Sequence, residues 1–314
     1  MYVLIVLIIV VLICHLSIVE SFSTNLIIER KLVSGLVGEK VTVNGSTPGP
    51  VIHLQVGELV EISVINKIYD EATTVHWHGL FQQETPYSDG VIGITQCPIS
   101  NVDGFNMMTY RFFAQKDPGT FWYHGHFNDQ YPDGLIGALI ISSPSEKGLL
   151  QAAGGNYDLD IDDFILIVAD YYEVPAKTLL PYYISPASGG DEPMPDGYIV
   201  NGKLSNNWSI SVNRNMIYRV RVINGAALSM FTITVDGMPL KIVEIDGRLV
   251  TPFTVSSFVV NVAQRVSFIL DFSNLHSKLK DSPAIFIRFE GIANMYPTHN
   301  ASANNLGLYG MFRY

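Results

Sequence analysis

The sequence predicts an all-β protein made of two tandem Greek-key β-sandwich domains, and three observations carry that prediction. Runs of alternating or β-branched residues closed by Gly, Pro or Asn recur along the whole chain, the spacing of sandwiches, while stretches with helical periodicity are scarce. The length of 314 residues suggests about two domains, each large enough for its own core. The sequence also repeats itself. Val43-Asn44-Gly45 returns as Val200-Asn201-Gly202, an offset of 157 (201 − 44). Val64-Ile65-Asn66 returns as Val222-Ile223-Asn224, and Thr74–Gly79 (TVHWHG) as Thr232–Gly237 (TITVDG), both at 158 (224 − 66 and 237 − 79). Chance produces one tripeptide match; three in register mark a duplication.

The elements follow in order. Residues 1–19 are apolar apart from His15 and Ser17 and run into Glu20-Ser21-Phe22-Ser23, a signal peptide (1–21) with small residues at the cleavage site. About 19 apolar residues without a Lys or Arg flank also suit an uncleaved signal anchor, which would tether the chain to a membrane. In the first domain, 24–145, strands are expected at Val51–Val56, Leu59–Asn66, Met108–Ala114 and Leu135–Ile141. Ser142–Asp163, rich in Ser, Pro, Gly and Asp, is the join. In the second domain, 160–314, strands are expected at Phe164–Tyr171, Ile217–Asn224, Phe231–Asp236, Leu240–Ile245 and Arg265–Phe272.

Composition narrows the function. A net charge of −10 argues against nucleic acid, which calls for a basic face. Two cysteines, Cys14 and Cys97, exclude a disulfide-dense scaffold and any four-cysteine metal site, and cleavage of the leader would leave Cys97 alone. Acceptor sequons at Asn44, Asn207 and Asn300 suit a secreted glycoprotein.

The first domain holds His76-Trp77-His78-Gly79 and His124-Gly125-His126. On a strand, residues i and i+2 share a face about 6.5 Å apart, so two such pairs on adjacent strands offer four convergent nitrogens. Neutral imidazole suits Cu, Zn, Fe and Ni. One pair alone is more often a buried or solvated pair of histidines; two pairs among seven histidines of the mature chain point to metal. In the second copy Thr234 and Asp236 stand where His76 and His78 stand, and no H-x-H occurs there. His53, His276 and His299 read as surface histidines, and Trp77, Trp122 and Tyr123 either wall the site or pack the core.

The stretches TVHWHGL (74–80), TPYSDGVIGITQCPI (85–99) and PGTFWYHGHFNDQYPDGLIGALII (118–141), with NGSTPGPVI (44–52), VNGKLS (200–205) and YRVRVINGA (218–226), resemble the multicopper oxidases, the laccase and ascorbate oxidase family. The similarity covers nearly the whole mature chain. It implies cupredoxin (plastocyanin-like) sandwiches, with oxidation of a phenol-like substrate at a type 1 copper and reduction of O2 to water at a trinuclear cluster. By that resemblance His76 is a type 2 copper ligand and His78 a type 3 ligand. His124 and His126 serve the two type 3 coppers, His124 sharing its copper with His78. Asp89 matches an acidic residue near the cluster, where a carboxylate can relay the protons that O2 reduction consumes; it reads equally as a turn residue before Gly90. Cys97 matches a position often bridged to a third domain.

A type 1 site needs a thiolate, two histidines and a weak axial ligand. The family's H-P-x-H-L-H-G and H-C-H-x-x-x-H motifs, which supply it and the other four cluster histidines, do not occur here. The resemblance therefore implies a partial set of type 2 and type 3 ligands, to be completed by a third cupredoxin domain or another subunit, and a chain inactive by itself. The alternatives are a secreted, catalytically inactive cupredoxin protein that binds copper or a partner, and a mononuclear cupin. The latter is disfavoured because Glu84 lies six residues beyond His78 and no matching glycine precedes His76. The TPYSDG and TQCPI patterns resemble laccases more than bacterial members of the family, which implies phenols or aromatic amines, rather than metal ions or ascorbate, as reducing substrates.

Overall fold

The computed structural model describes residues 21–204, 208–275, 282–296 and 307–314. The expected leader up to residue 20, the sequons at Asn207 and Asn300, His276 and His299 lie outside the described residues. Among the described residues no helix is long and apolar enough to cross a membrane.

The first sandwich is built from β1 (Ser21–Leu32), β2 (Glu39–Val43), β3 (Ile52–Gln55), β4 (Leu59–Asn66), β5 (Val75–His78), β6 (Met107–Phe113), β7 (Gly119–Gly125) and β8 (Ile136–Ser142). They form two sheets, ordered β2-β1-β4-β6 and β3-β8-β7-β5. Strand β1 begins at Ser21, ahead of the expected domain start at 24, because Ser21–Ser23 already pair in parallel with Leu59–Glu61. A short helix, α1 (Glu146–Ala152), occupies the join, anchored by buried Leu150 and Glu146.

The second sandwich contains β9 (Ile165–Tyr171), α2 (Ala176–Tyr183), β10 (Gly197–Val200), β11 (Ser209–Ser211), β12 (Ile217–Asn224), β13 (Phe231–Val235), β14 (Leu240–Ile245), β15 (Arg248–Val255), β16 (Ser257–Val260), β17 (Arg265–Asp271), β18 (Ala284–Gly291) and β19 (Gly307–Arg313). Its sheets run β10-β9-β12-β17-β14-β15 and β11-β19-β18-β13-β16.

The duplication is visible in the pairing. Parallel β1–β4 of the first copy corresponds to parallel β9–β12, and parallel β3–β8 to β11–β19. The repeated asparagines do the same work twice. Asn44 and Asn201 both adopt positive φ, 52° and 48°. Asn44 Oδ1 accepts the Ile27 N–H and its amide donates to the Asn25 carbonyl; Asn201 holds the Ile167 N–H and the Ile165 carbonyl in the same way. Asn44, inside a sequon, is thus a turn-locking residue. Asn66 and Asn224 are buried, and each amide donates to carbonyls of crossing loops while its oxygen accepts the N–H two residues on.

Strands β7 and β8 are buried on both faces almost throughout. Phe121, Tyr123, Leu139 and Ile141 fill the first core, while Trp122, Ile136, Ala138 and Ile140 pack against Ile165, Ile167, Ala169 and Ile223 of the second copy. Beside this apolar contact lies a buried charged one. Glu244, wholly buried, accepts from Thr120 of β7, from Ser267 and from the guanidinium groups of Arg219 and Arg221. Arg219 also reaches Glu146 and Arg221 reaches Asp160. Burial alone would raise the Glu244 carboxyl; Arg219 and Arg221 outweigh it and hold the group at about 2.

Candidate metal centre

Strand β5 alternates cleanly. Val75 and Trp77 point into the core, and His76 and His78 point out of it. Antiparallel pairing sets His76 opposite His124 and His78 opposite Trp122 on β7. His126 lies just past the end of β7, where its N–H donates to the Thr74 carbonyl. The sequence-derived residues therefore meet. Ring centroids of His76 lie 5.6 Å from His78, 5.2 Å from His124 and 5.6 Å from His126. Among the described residues, His76, His78 and His124 form a group whose potential ligand atoms all lie within 4.8 Å of one another.

Hydrogen bonds select the free nitrogens. His76 Nδ1 lies 2.7 Å from the Asp89 carbonyl, and His124 Nδ1 lies 2.9 Å from the Gly125 carbonyl. A carbonyl only accepts, so both Nδ1 atoms carry the proton and both Nε2 atoms are left with a lone pair. His124 Nε2 faces His78 Nδ1 at 3.4 Å. Burial lowers His78 to about 4, with the Arg265 guanidinium and neighbouring imidazoles adding to it. Burial lowers His124 to about 3 against the opposing pull of the Gly125 carbonyl, and it lowers His76 as well. Burial thus keeps His78 and His124 neutral, the ligating form, at neutral pH, and shifts His76 in the same direction.

Asp89 reaches the cluster through its loop. The single-turn helix Pro86–Ser88 is tied to β6 by Ser88, whose hydroxyl donates to the Arg111 carbonyl and accepts the Arg111 N–H. At Gly90, with φ 87°, a Cβ would stand 1.9 Å from the Val75 carbonyl oxygen, so only glycine lets the loop lie flush on β5. Asp89 Oδ1 then sits 3.3 Å from His76 Nδ1. Asp89 is a turn residue whose carboxylate also contacts His76.

Trp122 is more than core. Its ring lies 4.3 Å from His124 and 5.0 Å from His78, at interplanar angles near 30°, and Tyr131 closes the other flank, 5.3 Å from His124. Trp77 and Tyr123 face the interior and pack the first core. His53 lies apart on the surface, paired with Asp162 at 2.9 Å. Cys97 is exposed and free.

The second copy shows what stands in place of the two H-x-H pairs. Strand β13 sets Thr234 opposite Arg288 on β18, as β5 sets His76 opposite His124. Glu290 pairs with Thr232 where His126 meets Thr74. Arg288 forms a two-pronged pair with Asp236, Nε to Oδ1 at 2.8 Å and Nη2 to Oδ2 at 2.6 Å. An ion pair thus fills the position that corresponds to His78 and His124. The offset of 158 could not reveal this, since 124 + 158 is Ser282; the connection between β13 and β18 is six residues longer, moving the match to 288.

A duplicated sandwich with an imidazole cluster on one copy, and none among the described residues of the other, is the arrangement of a cupredoxin-type protein with a candidate metal centre. Two family models, both described as multicopper oxidase, match residues 29–146 and 162–280, and the chain belongs to the multicopper oxidase family, copper-using oxidoreductases. It is 36% identical over 248 residues to a laccase of Trametes maxima, covering 76% of this chain and 46% of that one. To Laccase-2 of Thanatephorus cucumeris it is 34% identical over 254 residues, covering 75% and 40%. Among solved structures, Fet3p, a multicopper oxidase that functions in iron import, superposes with a TM-score of 0.81 at 27% identity, covering 94% of this chain and 53% of that one. The laccase of Botrytis aclada gives 0.78 at 26%, covering 94% and 52%. The chain spans less than half the length of these two curated relatives.

Proposed function

We propose that this chain is the trinuclear-cluster half of a laccase-like multicopper oxidase, which couples one-electron oxidation of phenols or aromatic amines to the reduction of O2 to water. The observation that carries the reading is the 3.4 Å approach of His78 Nδ1 and His124 Nε2, two nitrogens aimed so as to share one metal. The donor set fits copper: all imidazole, with the charged form disfavoured by burial at His76, His78 and His124, and with no carboxylate or thiolate in the group of converging ligand atoms among the described residues. In this reading His76 holds type 2 copper through Nε2, His78 and His124 hold one type 3 copper, and His126 holds the other. A third cupredoxin domain or another subunit supplies the remaining cluster ligands and the type 1 site. Domains of 24–145 and 160–314 behind a secretory leader complete the proposal.

Copper bound there would supply the one-electron chemistry that O2 reduction requires. The chain's own residues do the rest. Trp122 and Tyr131 fix the imidazole planes and keep bulk water from their flanks. Asp89 orients His76 through its carbonyl, and its carboxylate beside the cluster takes a proton from solvent and delivers it inward.

Acid titration tests the ligand assignment. Metal competes with protons for each imidazole, and with His78 at about 4 and His124 at about 3 the protons arrive late. Copper retention by the loaded chain, followed by dialysis and metal analysis, is expected to stay level from pH 7 to about 5 and to fall through about 4. Release centred near the ordinary histidine value of about 6.5 would show that surface histidines, not the buried cluster, hold the metal.

A further inference from the structure

Among the described residues the second sandwich adds no side chain to the histidine group, yet it grips β7, the strand that carries His124 and leads into His126. Strand β5 ends at His78, opposite Trp122, so Thr120 near the start of β7 has no β5 partner. Groups of the second copy take that place. Glu244 accepts both the Thr120 N–H and its hydroxyl, and Arg265 Nε donates to the Thr120 carbonyl at 2.9 Å. Every polar group of Thr120 is bonded from across the interface.

Arg265 is 5% exposed, with Nη1 held by Asp246 Oδ1 at 3.2 Å and by the Ala263 carbonyl at 3.3 Å. Its other prong lies against Gly79, directly after His78. A Cβ at Gly79 would stand 2.5 Å from Nη2, and φ there is 92°, which gives the glycine of His76-Trp77-His78-Gly79 its physical reason. One guanidinium therefore touches the end of β5 and the start of β7. Along β7, Thr120, Trp122 and His124 share a face, and the Trp122 ring lies beside both His124 and His78.

We propose that Arg265 is a positioning residue of the histidine cluster: wedged between Gly79 and Thr120, it sets β7 against the end of β5 and so holds His78 Nδ1 and His124 Nε2 at the separation needed to share a metal. The second domain thereby acts as the jig for a site it does not itself ligate. The copper readout below rests on the metal reading just given; the second readout does not.

The test compares the full chain with Arg265→Met, which keeps much of the side-chain length and removes both the charge and the donors. Positioning predicts copper binding weaker by about tenfold or more. A purely electrostatic role predicts the opposite, since removing a cation beside His78 favours a bound cation, and a role in stability alone leaves the affinity of folded protein unchanged. Tighter or unchanged binding overturns the proposal. Metal-free NMR gives a readout that needs no copper: nuclear Overhauser contacts joining the His78, Trp122 and His124 rings are expected to weaken in Arg265→Met and to persist in Arg288→Gln, and their persistence in Arg265→Met overturns the proposal. If Arg265→Met fails to fold, Arg265→Lys, which retains charge but loses the fork, is read the same way.

Discussion

Replacing Glu244 with alanine is expected to destabilise the protein by about 3–5 kcal/mol, the usual cost of removing one partner from a buried ion-pair network. The carboxylate is wholly buried and accepts from Arg219, Arg221, Thr120 and Ser267. Without it, Arg221 keeps Asp160 and Arg219 keeps Glu146, but the guanidinium N–H groups that face Glu244 lose their buried acceptor, and Thr120 and Ser267 lose theirs. Thermal unfolding is expected to shift downward by on the order of 10 °C. A shift within a degree or two would mean that water solvates this interface and that the apolar contact around Trp122 alone joins the sandwiches.

Replacing His124 with alanine is expected to reduce copper affinity by about a hundredfold or more while the chain still folds. His124 sits at the centre of the cluster: it faces His78 Nδ1, lies closest in ring centroid to His76, and rests on Trp122. Its loss also opens a cavity beside Trp122, so a modest fall in stability, about 1–3 kcal/mol, accompanies the loss of metal. Calorimetric copper titration read beside a denaturation curve separates the two effects. Affinity within a few-fold of wild type would place the metal elsewhere.

Most strands were legible because their signals are local. Leu59–Asn66, Ile217–Asn224 and Leu240–Ile245 fall where alternation and β-branching put them, and the repeated asparagines flagged a duplication because each locks a turn or a loop crossing that a sandwich needs in both copies. The histidines were legible because i, i+2 spacing fixes a shared face. What escaped was whatever depends on long-range register. Arg288 and Glu290 take the places of His124 and His126, hidden by six extra residues in a connection. Arg219, Arg221 and Glu244 alternate with apolar residues as solvated charges do, and only the packing of one sandwich on the other turns them inward. The short helices α1 and α2 were missed because seven or eight residues show too little periodicity. Arg265 carries no local signal; its role exists only where Gly79 and Thr120 meet it.

Whether His76, His78, His124 and His126 hold copper on the first sandwich is decided by pulsed electron paramagnetic resonance of the copper-loaded full chain. Coupling to several imidazole nitrogens is expected, absent from a variant with all four histidines changed to alanine, with no intense thiolate–copper band and no O2 uptake with a phenol, since Cys97 has no histidines flanking it. Copper bound as tightly by the four-alanine variant, or a blue band with phenol turnover from this chain alone, would contradict it.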